Sequence, residues 1–238
     1  PTPAASPATP AESNWTRGRR GIHLAILILA ACAAFWPAFG AGFVYDDNAV
    51  VLRNPAVVQF DVVGHWTRPM WEFQVARDEL AGGHWRPLMM LLLSAAYAVA
   101  GPSALAFHVF ALALHLIASI AAWALARRLA GSDAVGWAVA LLFALHPVHV
   151  ESVAWISALG APACGALALF ALERHLAWRQ RGAQGSPWAA ATLLLAALLT
   201  QEVAAGAFLG VIAIDLALAR ARTPNAYRPY LAVLALWW

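Results

Sequence analysis

The chain has 238 residues, of which 62% are hydrophobic and 11% charged, with a mean hydropathy of +0.67. Water-soluble domains carry about 25% charged residues, so the composition excludes an ordinary soluble domain and indicates a polytopic membrane protein. The formal charge of +3 is too small to suggest a nucleic-acid partner.

The opening PTPAASPATPAES is rich in Pro, Ala and Ser without periodicity, and residues 1–20 are expected to be a disordered cytoplasmic tail. Residues 21–238 are expected to form one all-α membrane helical bundle. Its apolar runs are 22–39, 87–100, 105–126, 134–146, 156–173, 187–200, 203–219 and one starting near 229. All are rich in Ala and Leu, which favours helix, and none shows the alternation of a membrane barrel strand. The first residue is not Met and the chain ends within a new apolar run, so it is expected to be a piece of a longer protein. Cys32 and Cys164 both sit in apolar runs, and no disulfide framework is readable from them.

Arginine placement orients the runs, because basic residues beside spans stay on the cytoplasmic side. Arg17, Arg19 and Arg20 precede the first run and predict a cytoplasmic N-terminus. If 87–100 does not cross, residues 40–104 form one long external segment. Arg127, Arg128, Arg174, Arg179, Arg181, Arg220 and Arg222 then all lie on the cytoplasmic side. A run of about 14 residues suits an interfacial or re-entrant helix better than a span. The protein is expected in a bacterial inner membrane with its active face outside.

The same threading gathers the rare polar residues on the external face: Asp46 and Asp47, His84 and Arg86, His108, His146, His149 and Glu151, and Glu202. Ionisable groups at membrane depth are costly and mark function. Asp46 and Asp47 are a solvated turn or, as repelling neighbours, a general base. Arg86 before Pro87 is a headgroup arginine or a phosphate clamp. His108 and His115 share a helical face and suit packed polar groups better than metal ligands. His146, His149 and Glu151 resemble ligand spacing, but Pro147 breaks the helix a zinc motif needs. Glu202 is an interface residue or part of the site. Trp66, Trp71 and Trp85, with Phe60 and Phe73, suit helices lying on the membrane, or the floor of a sugar or lipid site.

In order, FVYDDNAVVLRNP, WRPL, HVFALALH, ALLFALHPVHVESVAWIS and LLTQE resemble the transmembrane O-mannosyltransferase family that carries C-terminal TPR repeats, within the GT-C membrane glycosyltransferases. HPVHVESVAW is the most specific piece. The resemblance implies a polytopic GT-C fold and transfer of mannose from a dolichyl- or polyprenyl-phosphate donor to a Ser or Thr of a protein. It makes Asp46 and Asp47 the catalytic acids. Arg86, His146 and His149 are then candidates for stabilising the leaving phosphate, with His84, His108, Glu151 and Glu202 as further binding residues. No cofactor is certain, and a divalent metal is left open. The pattern departs at Ala111, where the family often has Asn. It departs at Ala158–Ala161, where the family has G-R-x-D, and at Gln201, where it has Lys. These departures motivate an alternative: a catalytically silent membrane scaffold presenting a TPR domain.

Overall fold

A computed structural model describes residues 14–70, 84–218 and 224–238. Trp71, Phe73, Arg220, Arg222 and the Pro-rich segment 1–13 lie outside the described residues. The regular elements of the described residues are all helical, with no strand among them. Helix α1 spans Asn14–Ala34, so the part of the expected tail from Asn14 onward is helical. A 3₁₀ turn, Trp36–Gly40, leads out of it. A π-helical turn, Asn48–Leu52, and two short helices follow, α2 (Pro55–Val58) and α3 (Val62–Thr67). Asn54 and Asp61 cap them by accepting from the Ala56 and Gly64 N–H groups.

Helix α4 (Pro87–Ala100) matches the run expected not to cross. At ~1.5 Å per residue it is about 21 Å long, short of a hydrocarbon core of about 30 Å. Its buried Met89, Met90, Leu93 and Ala96 pack with Val50, Val51, Val57 and Phe107 into one apolar core.

Helix α5 (Ala104–Ala130) ends at Gly131, whose φ of 66° is the left-handed stop that glycine allows. Ser132 caps α6 (Asp133–Leu145), which returns against α5. At their crossing a Cβ on Gly136 would lie 2.8 Å from the Trp123 ring, so glycine sets that approach. Pro147 breaks the helix, and a 3₁₀ turn (Pro147–His149) and α7 (Val150–Ala154) leave at 50°. Another 3₁₀ turn, Ile156–Ala158, feeds α8 (Gly160–Gln180), which packs along α5. Helices α9 (Trp188–Leu198), α10 (Gly206–Ala217) and α11 (Pro224–Trp237) surround α8 in a second apolar core.

By length and composition, α5 and the segment Ile156–Gln180 are long and apolar enough to cross a membrane, and α6 with its bent continuation makes a third if it is one span. Leu29, Leu142 and Leu209 are 67–71% exposed on helix surfaces, where hydrocarbon rather than water is the favourable neighbour. The chain is therefore an all-α membrane protein.

Its charge separates by end. Arg20 and Arg127 both approach Asp133, at 3.8 and 3.9 Å, so the start of α1, the end of α5 and the start of α6 meet. Arg128 and Arg174 both bind Glu173 at 2.7 Å toward the end of α8. The polar residues between α1 and α5 gather at the opposite end of α8, about 20 Å away by helix rise.

Candidate functional site

Tyr45, with φ 55°, turns the chain into the acidic pair. A non-glycine residue in this region costs about 1–2 kcal/mol, so something must hold the turn. Asp47 does. It is fully buried and accepts from the Val44 N–H (2.9 Å), the Ser157 N–H (2.8 Å) and the Ser157 hydroxyl (2.6 Å). One carboxylate thereby fixes its own turn and ties it to the start of α8.

Asp46 faces the other way. It is half-buried, and its Oδ1 accepts from the Trp155 indole N–H at 3.0 Å. It lines a cavity of about 440 Å³ with His84, Arg86, Glu151 and Trp155. The tandem acids therefore divide: Asp47 ties the turn to Ser157 and is absent from the cavity wall, and Asp46 lines the cavity.

Arg86 stands at the position before α4 without capping it, and its side chain reaches across to the 3₁₀ turn Glu202–Ala205. Its Nε and Nη2 donate to the two oxygens of Glu202 at 2.9 and 2.5 Å, a bidentate pair. His84 Nδ1 lies 3.3 Å from the same carboxylate. The hydrogen bonds from Arg86 hold the Glu202 carboxyl down at about 2, against the opposing effect of burial. Glu202 orients Arg86 and leaves its other N–H groups able to bind an anion.

Glu151 is exposed at the rim. Ala158, Ala161 and Gln201 also line the wall, and Ala161 and Gln201 stand where the resembling family carries an acid and a lysine. Leu159, where that family carries arginine, is buried in the apolar core and is not part of the wall.

A second cavity of about 320 Å³ adjoins the first, sharing Ser152, Ala161 and Gln201. It is lined mainly by apolar or small residues of α6, α8 and α10, Phe143, Pro162 and Ala207 among them. His149 belongs to this slot, its ring 4.3 Å from Phe143 and 5.0 Å from His115. His115 Nε2 in turn donates to the Ala144 carbonyl at 3.0 Å.

Two expected site residues lie elsewhere. His108 is sealed in the helix core, and neither ring nitrogen has a hydrogen-bond partner among the described residues. His146 is exposed and caps the 3₁₀ turn by accepting from the Val148 N–H, a local task that Pro147 imposes. The structure brings together Asp46, His84, Arg86, Glu151 and Glu202. It sets Asp47, His108 and His146 apart from them, with His149 in the adjoining slot. Among the described residues, no three His, Cys, Asp or Glu gather to hold a metal ion.

Two groups escaped the sequence. Trp155 and Ser157 hold the acidic pair, yet nothing in their spacing announces it. Asp215 is different: fully buried in α10, it accepts from His175, from Arg179 and, at 2.7 Å, from Tyr227. His175 also bonds Tyr230 at 2.9 Å, joining α8, α10 and α11. An acid inside the run 203–219 is a costly group, and that signal was legible.

Comparison with known proteins fits this geometry. The chain is 32% identical over 195 residues to protein O-mannosyl-transferase Tmtc1 of Drosophila melanogaster, which covers 79% of the chain and 22% of the relative. It is 37% identical over 184 residues to Tmtc2 of the same organism, covering 71% and 19%. It is 28% identical over 147 residues to human TMTC1, covering 58% and 17%. The chain thus spans about a fifth of the length of these relatives. No family model and no solved structure matches it.

Proposed function

Because the chain belongs, as a divergent member, to the protein O-mannosyl-transferase family named Tmtc, we propose that it is the membrane part of a GT-C-like glycosyltransferase. It moves a sugar, mannose by the names of its relatives, from a polyprenyl- or dolichyl-phosphate donor to a Ser or Thr hydroxyl of a protein. The observation that carries this is the shared cavity of Asp46 and Arg86, opening beside an apolar slot. The polar cavity suits a sugar and its phosphate. The slot between α6, α8 and α10 suits the first isoprenoid units.

In this reaction Asp46 takes the proton from the acceptor hydroxyl, whose oxygen attacks the anomeric carbon. The bond from that carbon to the phosphate oxygen breaks, and the lipid phosphate leaves with the electron pair. A positioned carboxylate base supplies about 10²–10⁴ in rate. The remaining N–H groups of Arg86 offset the charge growing on the phosphate, and Glu202 keeps the guanidinium in place. Trp155 holds Oδ1 of Asp46, which leaves Oδ2 for the incoming proton. The site then faces the periplasm or lumen, opposite the arginine-bearing ends.

The test is transfer of radiolabelled mannose from polyprenyl-phosphate mannose to Ser/Thr peptides by the full chain. Asp46→Asn keeps the acceptor oxygen for Trp155 and removes the base, so turnover falls by about 10²–10⁴ with the fold intact. Full activity in that variant overturns the assignment.

One observation favours the scaffold alternative. Ala161 and Gln201 stand in the cavity wall where the resembling family has an acid and a lysine, and Leu159, where it has arginine, is buried and apolar. A wild-type protein that binds no polyprenyl-phosphate sugar decides for it.

A further inference from the structure

A third cavity, of about 280 Å³, lies in the first external segment. It is framed by the start of α2, by α3 and by α4, away from the acids and from Arg86. Its apolar walls are Pro55, Pro69, Met70 and Met90. Two buried polar residues also line it. Asn54 is 2% exposed and spends its side-chain oxygen on the Ala56 N–H. Its amide nitrogen makes no hydrogen bond among the described residues and is not one of the sealed polar atoms. His65 is 3% exposed and shares Nε2 with the Ser94 hydroxyl at 2.7 Å, which leaves Nδ1 open in the same way. Arg68 stands at the rim, 3.8 Å from Asp61.

A concave, mostly apolar pocket with a few fixed polar groups is the usual form of a binding site. The chemistry here is neither that of a phosphate nor that of a long lipid. The open donor of Asn54 suits a peptide carbonyl. The His65 nitrogen supplies a second polar contact, and the methionine walls adapt to varied side chains. Position decides the occupant. Met70 lines both this pocket and the Asp46 cavity, so one side chain separates them. In an extended peptide, side chains i and i+2 point the same way and lie about 7 Å apart, enough to straddle that wall.

We propose that this pocket is the acceptor-polypeptide subsite. It takes an apolar side chain two residues from the Ser or Thr whose hydroxyl enters the Asp46 cavity, and Asn54 and His65 hold the intervening backbone. The inference rests on the transfer reaction proposed above.

Two variants test it without disturbing the reacting groups. Asn54→Ser keeps an oxygen to cap α2 and removes the amide donors. Ala56→Phe fills the pocket from a half-buried wall position. With the full chain in nanodiscs, both are expected to raise the KM for a Ser/Thr peptide about 5–30-fold, the worth of one lost hydrogen bond or apolar contact of ~1–2 kcal/mol. KM for the polyprenyl-phosphate sugar stays unchanged. Unchanged acceptor KM in both variants, or an equal rise in donor KM, overturns the subsite. Fluorescence anisotropy of the same labelled peptide, measured without donor, separates this failure from failure of the reaction. Peptide binding that weakens in both variants upholds the subsite even where the wild type transfers nothing. Wild-type protein that binds no peptide overturns it.

Discussion

Asp47→Ala separates the clamp from the chemistry. The change leaves the Val44 N–H, which is part-buried, and the buried Ser157 N–H and hydroxyl without their acceptor. The hydroxyl can rotate to another acceptor, but the two backbone donors cannot. At ~1–3 kcal/mol for each buried donor left unmade, the loss is about 4 kcal/mol. For a chain of this size ~1 kcal/mol moves Tm by ~2–4 °C, so the midpoint falls by about 8–16 °C. Ser157→Ala removes one hydrogen bond to a charged group, about 2 kcal/mol, and lowers Tm by about 4–8 °C. Scanning calorimetry in detergent reads both shifts. Asp47→Asn keeps an oxygen for Ser157 and, assayed below its own midpoint, retains transfer that Asp46→Asn lacks. If Asp47→Ala melts within ~2 °C of wild type while Asp47→Asn is as inactive as Asp46→Asn, the division of labour between the two acids is wrong.

Other expectations follow from the same geometry. The Glu202 carboxyl is held at about 2 by Arg86, below its ordinary 4.5. The pair therefore adds stability above pH 4.5 that is lost as pH falls toward 2. The drop in Tm between pH 5 and pH 3 should be smaller in Glu202→Gln than in wild type. Asp215→Ala removes the acceptor that Arg179, His175 and Tyr227 share and is expected to cost about 3–5 kcal/mol, whereas Asp215→Leu with Arg179→Met costs less because the buried ion pair is replaced as a unit; thermal unfolding ranks the two. Single cysteines at 45–50, 101–104 and 147–150, in a background free of Cys32 and Cys164, should label from outside the cell. Labelling of 101–104 from the cytoplasm refutes the threading.

The apolar runs located the helices because membrane helices announce themselves by composition: the run 87–100 and α4 coincide, and 105–126 lies inside α5. Pro147 announced the bend. The site was legible as a set, since Asp46, Arg86, Glu151 and Glu202 are expensive at a membrane edge and do converge. The division within it was not legible. Asp46 and Asp47 are neighbours with identical chemistry, and only the backbone turn at Tyr45 sends one into the protein and the other into the cavity. His108 and His146 look alike in sequence, yet one is buried by the face of α5 it occupies and the other is turned outward by a proline. Ser157 carries no sequence signal because its role depends on a partner 110 residues away.

That separation bears on how the protein is made. When the acidic turn leaves the ribosome, the two Ser157 groups that will bind Asp47 have not been synthesised. They arrive only after α4, α5 and α6 have entered the bilayer, and closing so large a loop is slow relative to local helix formation. Until then Tyr45 has no reason to hold its costly backbone angle, and both carboxylates remain hydrated. The cavity that Asp46 lines is therefore a late product of assembly. Substitutions in the α5–α6 hairpin, such as a side chain at Gly136, would delay it and leave a fully inserted chain whose site has not yet formed.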